Sequence, residues 1–419
     1  MEIASIELSG AGCRSALLVL LLVWHGAAHA QEADPPQPMP DQFERAATPT
    51  SDAPAIALQY NYSSDLNADL SGGTRRGTAF LGKAAIIADA DLDRLVGLPD
   101  ATAHVSVIDI HGTGLSASRV DNLATVSGLE AEPAIRLNQA WIEVGLGNKA
   151  RLRLGKFTAQ DFMASSTAAF FVNSTFGWPT SFATDLPQGG PSWPLAVPGG
   201  MVKLRISSHW SVTGAVFAGT PAGSDDGNPQ RIDEHGFGAF RFAGKPFVIA
   251  EAARKLGDAA TVKLGGWVHF ARFDLVTPGA PATVARDWSV YALADWRVLG
   301  QSSDARKLSL FARASLAPAD RNPVSLYLDL GATFTAPFAA RPDDTVGIAY
   351  AMTRLSPQLD ISGAPRAEQV VEVSYSAAFG AHFSLQPNLQ LIVDPIDPSS
   401  FVGRHRNALV AGMRFNAQF

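Results

Sequence analysis

The stretch RNALVAGMRFNAQF, residues 406–419, decides the fold. In an extended chain, one face here carries only apolar side chains: Leu409, Ala411, Met413, Phe415, Ala417 and Phe419. The opposite face carries Arg414, Asn416 and Gln418, because successive side chains of a β-strand point to opposite sides of the sheet. One face suits lipid and the other suits water, although a soluble β-sandwich would show the same alternation.

Composition and charge narrow the class of protein. Of the 419 residues, 17% are charged, against about 25% in an average soluble domain. The formal net charge is −6 and no basic tail is present, so nothing indicates a nucleic-acid partner. We therefore predict no nucleic-acid binding and favour the cell envelope over the cytosol.

The N-terminal residues have the pattern of an export signal. An apolar run at 16–24 is followed by Ala-His-Ala at 28–30, which is an A-x-A cleavage site. This predicts a signal peptide over residues 1–30, cleaved after Ala30, because the run is shorter than the about 20 residues of a membrane helix. The only cysteine, Cys13, leaves with this segment, so we expect neither a disulfide nor a sulfur metal site in the mature chain.

Two further regions follow. Residues 31–54 are rich in proline and predict a periplasmic lead without a core of its own. Residues 55–419 show two-residue alternation in stretches of about 8 to 14 residues, broken by Gly, Pro, Asp and Asn. We count sixteen such segments: 55–64, 76–88, 102–112, 135–146, 150–157, 199–207, 210–219, 246–255, 260–272, 287–299, 306–317, 323–336, 344–353, 368–380, 381–393 and 406–419.

An even number of strands is the rule in bacterial single-chain barrels, which have short periplasmic turns and longer outer loops. If the chain starts in the periplasm and alternates direction, its long connections all fall outside: 113–134, 158–198, 220–245, 273–286, 354–367 and 394–405. We therefore predict an all-β fold, a sixteen-stranded antiparallel transmembrane β-barrel. Residues 235–243 also alternate; we assign them to an outer loop, and two extra strands are the alternative.

A barrel of about sixteen strands leaves an aqueous channel. The alternation predicts a pore lining of mixed charge and aromatic side chains: Gln139, Trp141, Glu143, Arg151, Arg153, Trp267, His269, Tyr291, Asp295, Arg297, Asp329 and Glu372. An anion pore would need a ladder of Lys and Arg, and a cation pore would need rings of Asp and Glu. A mixed wall with flat aromatic faces favours a neutral polyol, although any porin has a polar wall.

The longest segment without alternation, residues 158–198, is rich in aromatic side chains, glycine and proline. Loops of this length are uncommon unless they serve a function. We predict that it folds inward as a constriction loop; the alternative is packing on the outer rim or against neighbouring subunits.

Several stretches resemble one known family. They are GGTRRGTAFLG at 72–82, DLDRLVGLPDA at 91–101, LNQAWIEVGL at 137–146, RLRLGKFTAQDF at 151–162, FFVNSTFGWP at 170–179 and LQPNLQLIVDP at 385–395. Together with the closing strand they are similar to the carbohydrate-selective porins of Gram-negative outer membranes, the OprB family. The WIE strand followed by RLRLGK and FFVNSTFG is specific in combination, whereas residues 220–245 match no motif of the family.

The resemblance implies an outer-membrane porin through which small neutral sugars, glucose and its relatives, diffuse. It also implies that Phe419 is a recognition signal for the barrel assembly machinery. The predicted surroundings are outer-membrane lipid, and the barrel is either a monomer or a homotrimer. A general or anion-selective porin is the main alternative.

Other classes of function find less support. An outer-membrane hydrolase needs a nucleophile, a base and an orienting group close together. His269 is the histidine that we assign to an inward strand face, and no serine partner is evident from the sequence. Phosphate-loop, zinc and calcium motifs are absent, so we predict no catalysis, no cofactor and no metal. An adhesin or receptor barrel would share the long loops.

Overall fold

The computed structural model describes residues 54–223, 227–277, 282–361, 365–401 and 406–419. The predicted signal peptide and nearly all of the predicted periplasmic lead lie outside the described residues. Within the described ranges, the chain forms one closed barrel of sixteen antiparallel strands, so the predicted fold is confirmed.

Each strand pairs with its neighbours along the chain, and β1 pairs with β16 to close the sheet. The strands are β1 (Ile56–Gly73), β2 (Gly77–Asp91), β3 (Ala101–Gly112), β4 (Ala134–Leu146), β5 (Ala150–Phe157), β6 (Val197–Arg205), β7 (Trp210–Phe217), β8 (Phe247–Leu256), β9 (Ala260–Asp274), β10 (Thr283–Leu299), β11 (Lys307–Leu316), β12 (Val324–Thr335), β13 (Thr345–Leu355), β14 (Ala367–Phe379), β15 (Phe383–Val393) and β16 (Arg406–Gln418). Closure leaves no free sheet edge. An open edge would be costly in a membrane, because hydrocarbon cannot hydrogen-bond to unpaired backbone groups.

The last residues complete this closure. The backbone N–H of Tyr60 donates to the carbonyl of Phe419, and the N–H of Phe419 donates back to Tyr60, both at 2.9 Å. The ring of Phe419 stacks on His382, with ring centroids 5.3 Å apart. The closing strand is therefore fixed at its end by β1 and by the turn before β15.

Among the described residues, helices are short and lie in the connections. The helices are Leu92–Val96, Ser174–Gly177, Thr180–Asp185 and Pro229–Ile232, the 3-10 turns are Ala168–Phe170, Pro187–Gly189 and Gly238–Phe240, and one π turn is Ser116–Val120. Across the ranges that the structure describes, no helix has both the length and the apolar character needed to cross a membrane.

The first hairpin corrects one sequence boundary. Strand β1 runs to Gly73 instead of ending at residue 64, and only residues 74–76 separate it from β2. The sequence pattern predicts an earlier end of the strand because Asp65 and its inward neighbours are polar, as in a loop. The alternation nevertheless continues, since the outward side chains Leu66 and Leu70 stay exposed while Asp65 is buried.

Residues 235–243 contain the 3-10 turn Gly238–Phe240 and no strand, in agreement with their assignment to a loop. The outward face of the strands is apolar, with exposed side chains that include Leu66, Ile142, Leu154, Leu264, Trp288 and Trp296. The longest connections, 113–133, 158–196 and 218–246, all lie at one end of the barrel, and no connection at the other end exceeds 9 residues.

Candidate functional site

The connection between β5 and β6, residues 158–196, lies inside the barrel. Its side chain Phe182 is buried and packs edge-on against two inward rings of the wall, Tyr291 at 5.6 Å and Trp267 at 6.2 Å between ring centroids. Phe176 is buried in the same way against Phe311 of β11. The loop therefore packs on inward side chains of the wall, and its role as a constriction of the pore stays a prediction.

One buried ion pair holds the loop by its backbone. Arg313 of β11 donates to the carboxylate of Asp329 on β12 at 3.0 Å, and neither side chain is exposed. The same guanidinium donates to the loop carbonyls of Met163 at 3.1 Å, Thr175 at 3.1 Å and Phe176 at 2.9 Å. Since a buried charge needs both a partner and hydrogen bonds, the loop backbone completes the solvation of Arg313.

Two buried carboxylates hold the loop from other strands. Glu372 of β14 accepts the backbone N–H groups of Val172 and Asn173, each at 2.8 Å. Glu251 of β8 accepts the N–H of Met163, also at 2.8 Å. The loop is thus bound to the inner wall at separate points around the barrel.

This packing changes the role of five residues that were predicted to line the pore. Trp267, His269, Tyr291, Asp329 and Glu372 lie on the inward face, as the alternation predicted, but at most 2% of each is exposed. The inward loop covers all but one of them, and the ring of His269 instead contacts a backbone carbonyl after β7 at 2.9 Å. They therefore do not border the open channel; most of them anchor the loop.

A second connection, residues 113–133, also lies inside, and the sequence analysis missed this. The N–H groups of Leu123 and Ala124 donate to Glu368 of β14 at 2.9 and 2.8 Å. Ser127 donates to the carboxylate of Asp65 on β1. Leucine and valine at irregular spacing were the available signal, because a solvent-exposed loop has no reason to carry them.

Three of the predicted residues do form a cluster, next to the tight turn 147–149. Glu143 of β4 lies opposite Arg153 of β5 in the sheet register. Its carboxylate accepts from Arg151 at 2.7 Å and from Arg153 at 2.9 Å. This carboxylate is therefore paired with both guanidinium groups, and their contact with a solute stays a prediction.

The ion pairs extend beyond these three residues. Arg151 also contacts Asp100 at 3.1 Å, and Arg153 contacts Asp161 of the inward loop at 3.3 Å. Lys203 of β6 contacts Asp161 at 3.4 Å. Burial would raise the pKa of Asp161, but Lys203 and Arg153 outweigh it and hold that pKa below its ordinary value.

We call this set the charge belt, and its members are Asp100, Glu143, Arg151, Arg153, Asp161 and Lys203. It balances three carboxylates against three cations. Apart from Lys203, the side chains of the belt stay partly exposed, whereas the residues that anchor the loop are fully buried.

The belt rests against an aromatic stack. The ring of Trp141 lies parallel to that of His104 on β3, with centroids 4.6 Å apart, and the guanidinium carbon of Arg153 lies 4.1 Å from the indole centroid. Asp89 fixes His104 through a contact of 2.8 Å. Because His104 and Arg153 come from strands on either side of β4, the faces of Trp141 are occupied. This corrects the expectation of a free aromatic face for sugar.

The remaining predicted residues are dispersed. Gln139 is half-buried and lies opposite Ser106 of β3. Asp295 accepts from Ser165 of the inward loop at 2.6 Å. Arg297 lies at the end of the barrel with the short turns, where it donates to the backbone carbonyls of Gly300 and Asp258. Within the described part of the chain, no group of three or more His, Cys, Asp or Glu side chains has a metal-binding arrangement.

Comparison with known proteins places the chain among porins. It is 24% identical to Porin B of Pseudomonas aeruginosa over 413 residues, which cover 86% of this chain and 87% of that protein. It is 22% identical to the putative porin QuiX of Acinetobacter baylyi over 375 residues, 81% and 83% of the two chains.

Solved structures show the same barrel. The high-pH structure of OprB from Pseudomonas putida superimposes with a TM-score of 0.76 at 21% identity, covering 87% of this chain and 94% of that one. The family model for the carbohydrate-selective porin, OprB family, matches residues 75–419. That match spans nearly the whole barrel, so the chain belongs to the OprB family of carbohydrate-selective porins.

Proposed function

We propose that this protein conducts small neutral, glucose-like sugars by diffusion across the outer membrane, and that the charge belt is where the channel recognises them. The observation that carries this proposal is the balance of the belt: three carboxylates and three cations, ion-paired with one another and still partly exposed. A relative at 24% identity is named Porin B, and this chain matches the model of the carbohydrate-selective porin family.

The chemistry of the belt suits hydroxyl groups. A guanidinium has five N–H donors, and Arg151 uses only some of them on Glu143 and Asp100. A carboxylate has about four lone-pair sites, so Glu143 keeps acceptor capacity while bound to two arginines. A vicinal diol can therefore find donors and acceptors side by side. An ion would gain little from a belt of no net charge.

Trp141 takes a supporting role in this proposal. Its ring carries the guanidinium of Arg153 on one side and His104 on the other, so it fixes where Arg153 presents its N–H groups. Cation–π contacts of this kind contribute about 0.5–2 kcal/mol, depending on desolvation. We expect Trp141→Ala to weaken sugar binding while leaving the charge of the pore unchanged.

The test is block of ion current by sugar in planar bilayers. Arg151 and Arg153 replaced together by alanine should weaken sugar block by about tenfold or more, since hydrogen bonds to charged groups contribute about 1.5–3 kcal/mol. The same variant should shift selectivity toward cations. The matched control replaces Arg254 and Arg286, which pack on the outward rings Trp210 and Phe270, and should leave both readouts unchanged.

The outcomes separate the alternatives. Unchanged sugar block in the Arg151/Arg153 variant would show that sugar is recognised elsewhere in the channel. Strong anion selectivity of the unaltered protein, with no block by glucose, would favour the anion-selective porin instead. The sites that we predicted on the wall, Asp295 and Arg297, would then be the next to replace.

We also propose how the protein reaches the outer membrane. Residues 1–30 would direct export, with cleavage after Ala30, and Phe419 would present the barrel to the assembly machinery. The sequence pattern supports the first and the exposed terminal ring supports the second.

A further inference from the structure

A lysine on the outward face of the barrel wall is buried. Leu154 of β5 points outward and is 54% exposed, so the alternation places Lys156 on the same face, yet Lys156 is only 1% exposed. Its ammonium donates to the carbonyl of Gly236 and lies 3.5 Å from the carboxylate of Asp233. The ring of Phe240 lies 5.9 Å away. Residues of the β7–β8 connection therefore cover the outside of the wall at this point.

The same connection fills a gap in the sheet. The pairing of β4 with β5 ends at Ala140, whereas β4 itself extends to Ala134. Above this point, the N–H of Leu137 donates to the carbonyl of His235 at 3.0 Å, and the ring of His235 contacts the carbonyl of Ile135 at 3.1 Å. The connection thus supplies β4 with the hydrogen-bond partners that a longer β5 would have supplied.

Residues 228–242 form this cover, and we call them the cover segment. One of its carboxylates, Asp233, is buried against Lys156, and Arg136 of β4 donates to the backbone carbonyl of Glu234 at 3.1 Å. Large apolar side chains of the segment are exposed: 42% of Ile232, 66% of Phe237, 53% of Phe240 and 49% of Phe242. The charged side chains of Arg231, Glu234 and Arg241 in the same segment are exposed as well.

We propose that the cover segment is part of the membrane-facing wall and inserts Phe237, Phe240 and Phe242 into the outer leaflet of the bilayer. Contiguous exposed apolar surface marks an interaction site. Lipid is the occupant that fits, because the patch continues the apolar outward face of β4 and β5, where Ile135, Ile142 and Leu154 are exposed. Aromatic side chains at the rim of this band match the girdles of outer-membrane barrels.

The proposal explains the buried lysine. A bare ammonium on the lipid face would be destabilising, as it is for lysine near the midplane of such barrels. The cover segment surrounds the ammonium of Lys156 with the carbonyl of Gly236, the carboxylate of Asp233 and the ring of Phe240. Apolar side chains of the segment are then exposed on the outside of the barrel instead of the ammonium. This inference rests on the membrane location of the barrel and is independent of which solute the channel passes.

The test uses spin labels at single cysteines. The sole native cysteine, Cys13, lies in the predicted signal peptide, so a label on Phe237→Cys or Phe242→Cys of the processed protein reports one position. The two reference positions are Leu264→Cys, on the outward face of β9, and Ser303→Cys, in an exposed turn. Each variant is refolded into phospholipid vesicles, and only the fraction with heat-modifiable migration is measured.

Collision with oxygen, which concentrates in lipid, is compared with collision with a nickel chelate, which stays in water. We expect the oxygen-to-nickel ratio at residues 237 and 242 to match that at residue 264, severalfold above the ratio at residue 303. A ratio equal to that at residue 303 would overturn the proposal in favour of a water-exposed loop. Low collision with both reagents would also overturn it, because it would indicate contact with protein.

Discussion

Replacing Glu372 by glutamine should loosen the inward loop at one defined point. The carboxylate of Glu372 accepts the N–H of Val172 and of Asn173, each at 2.8 Å, and the hydroxyl of Ser374 at 2.6 Å. Glutamine keeps the shape of the side chain but has only one acceptor oxygen, so its amide N–H₂ would face one of the two loop N–H groups.

The size of the effect follows from this geometry. Losing one hydrogen bond to a charged group at a fully buried site costs about 1.5–3 kcal/mol. At about 1.4 kcal/mol for each factor of ten, local opening of the loop around residues 168–178 should become about 10- to 150-fold more frequent. The barrel strands should keep their stability, because their own hydrogen bonds are untouched.

Hydrogen exchange measured by mass spectrometry is the assay, with a second variant as its control. Glu368 lies on the same strand and holds the other inner connection through Leu123 and Ala124. Glu372→Gln should accelerate exchange in 168–178, whereas Glu368→Gln should accelerate it in 118–128. The side-chain amide of Asn173 also donates to the carbonyl of Ala124 at 3.1 Å, so each variant should affect the other segment weakly.

Two results would refute this reasoning. Unchanged exchange over 168–178 in Glu372→Gln would show that the carboxylate does not hold the loop. Equal acceleration of both segments by both variants would show that the two connections open together, without separate anchors.

Two further predictions concern other parts of the chain. Burial raises the pKa of Glu130 from 4.5 to about 7, so its contribution to the order of residues 113–133 is fully present below pH 4.5 and is lost as pH rises through about 7. Exchange in this segment, corrected for its intrinsic pH dependence, should rise over that range and lose the pH response in Glu130→Gln; a response that persists in the variant would contradict the assignment. Deleting Phe419 removes two backbone hydrogen bonds to Tyr60 and the stack on His382, so outer-membrane levels should fall while the sugar selectivity of the remaining channels stays the same. Normal levels on immunoblots of outer-membrane fractions would contradict this.

The alternation of side chains was enough to predict the barrel and the inward direction of the side chains assigned to the pore lining. It placed Glu143 and Arg153 on inward positions, and the tight turn at 147–149 brings the two side chains into contact. Register in a hairpin is fixed by a short turn, so such a pair is readable from sequence.

The alternation could not predict which inward residues stay open to the channel. Asp329 and Glu372 have the same inward direction as Glu143, but the connection 158–196 seals them. That connection has no periodicity, and its course depends on tertiary contacts such as Arg313 with the carbonyl of Met163. The occupied faces of Trp141 and the cover segment on the outer wall were missed for the same reason.

The most direct test of the central claim, that this channel passes neutral sugars, is swelling of proteoliposomes in isotonic solutes of matched size. The panel contains glucose, a second hexose, a neutral amino acid and a small organic anion with its cation. The account predicts that both sugars enter faster than the amino acid and the anion, and that Arg151/Arg153→Ala reduces this preference while Arg254/Arg286→Ala retains it. Equal rates for all solutes, or fastest entry of the anion, would contradict it.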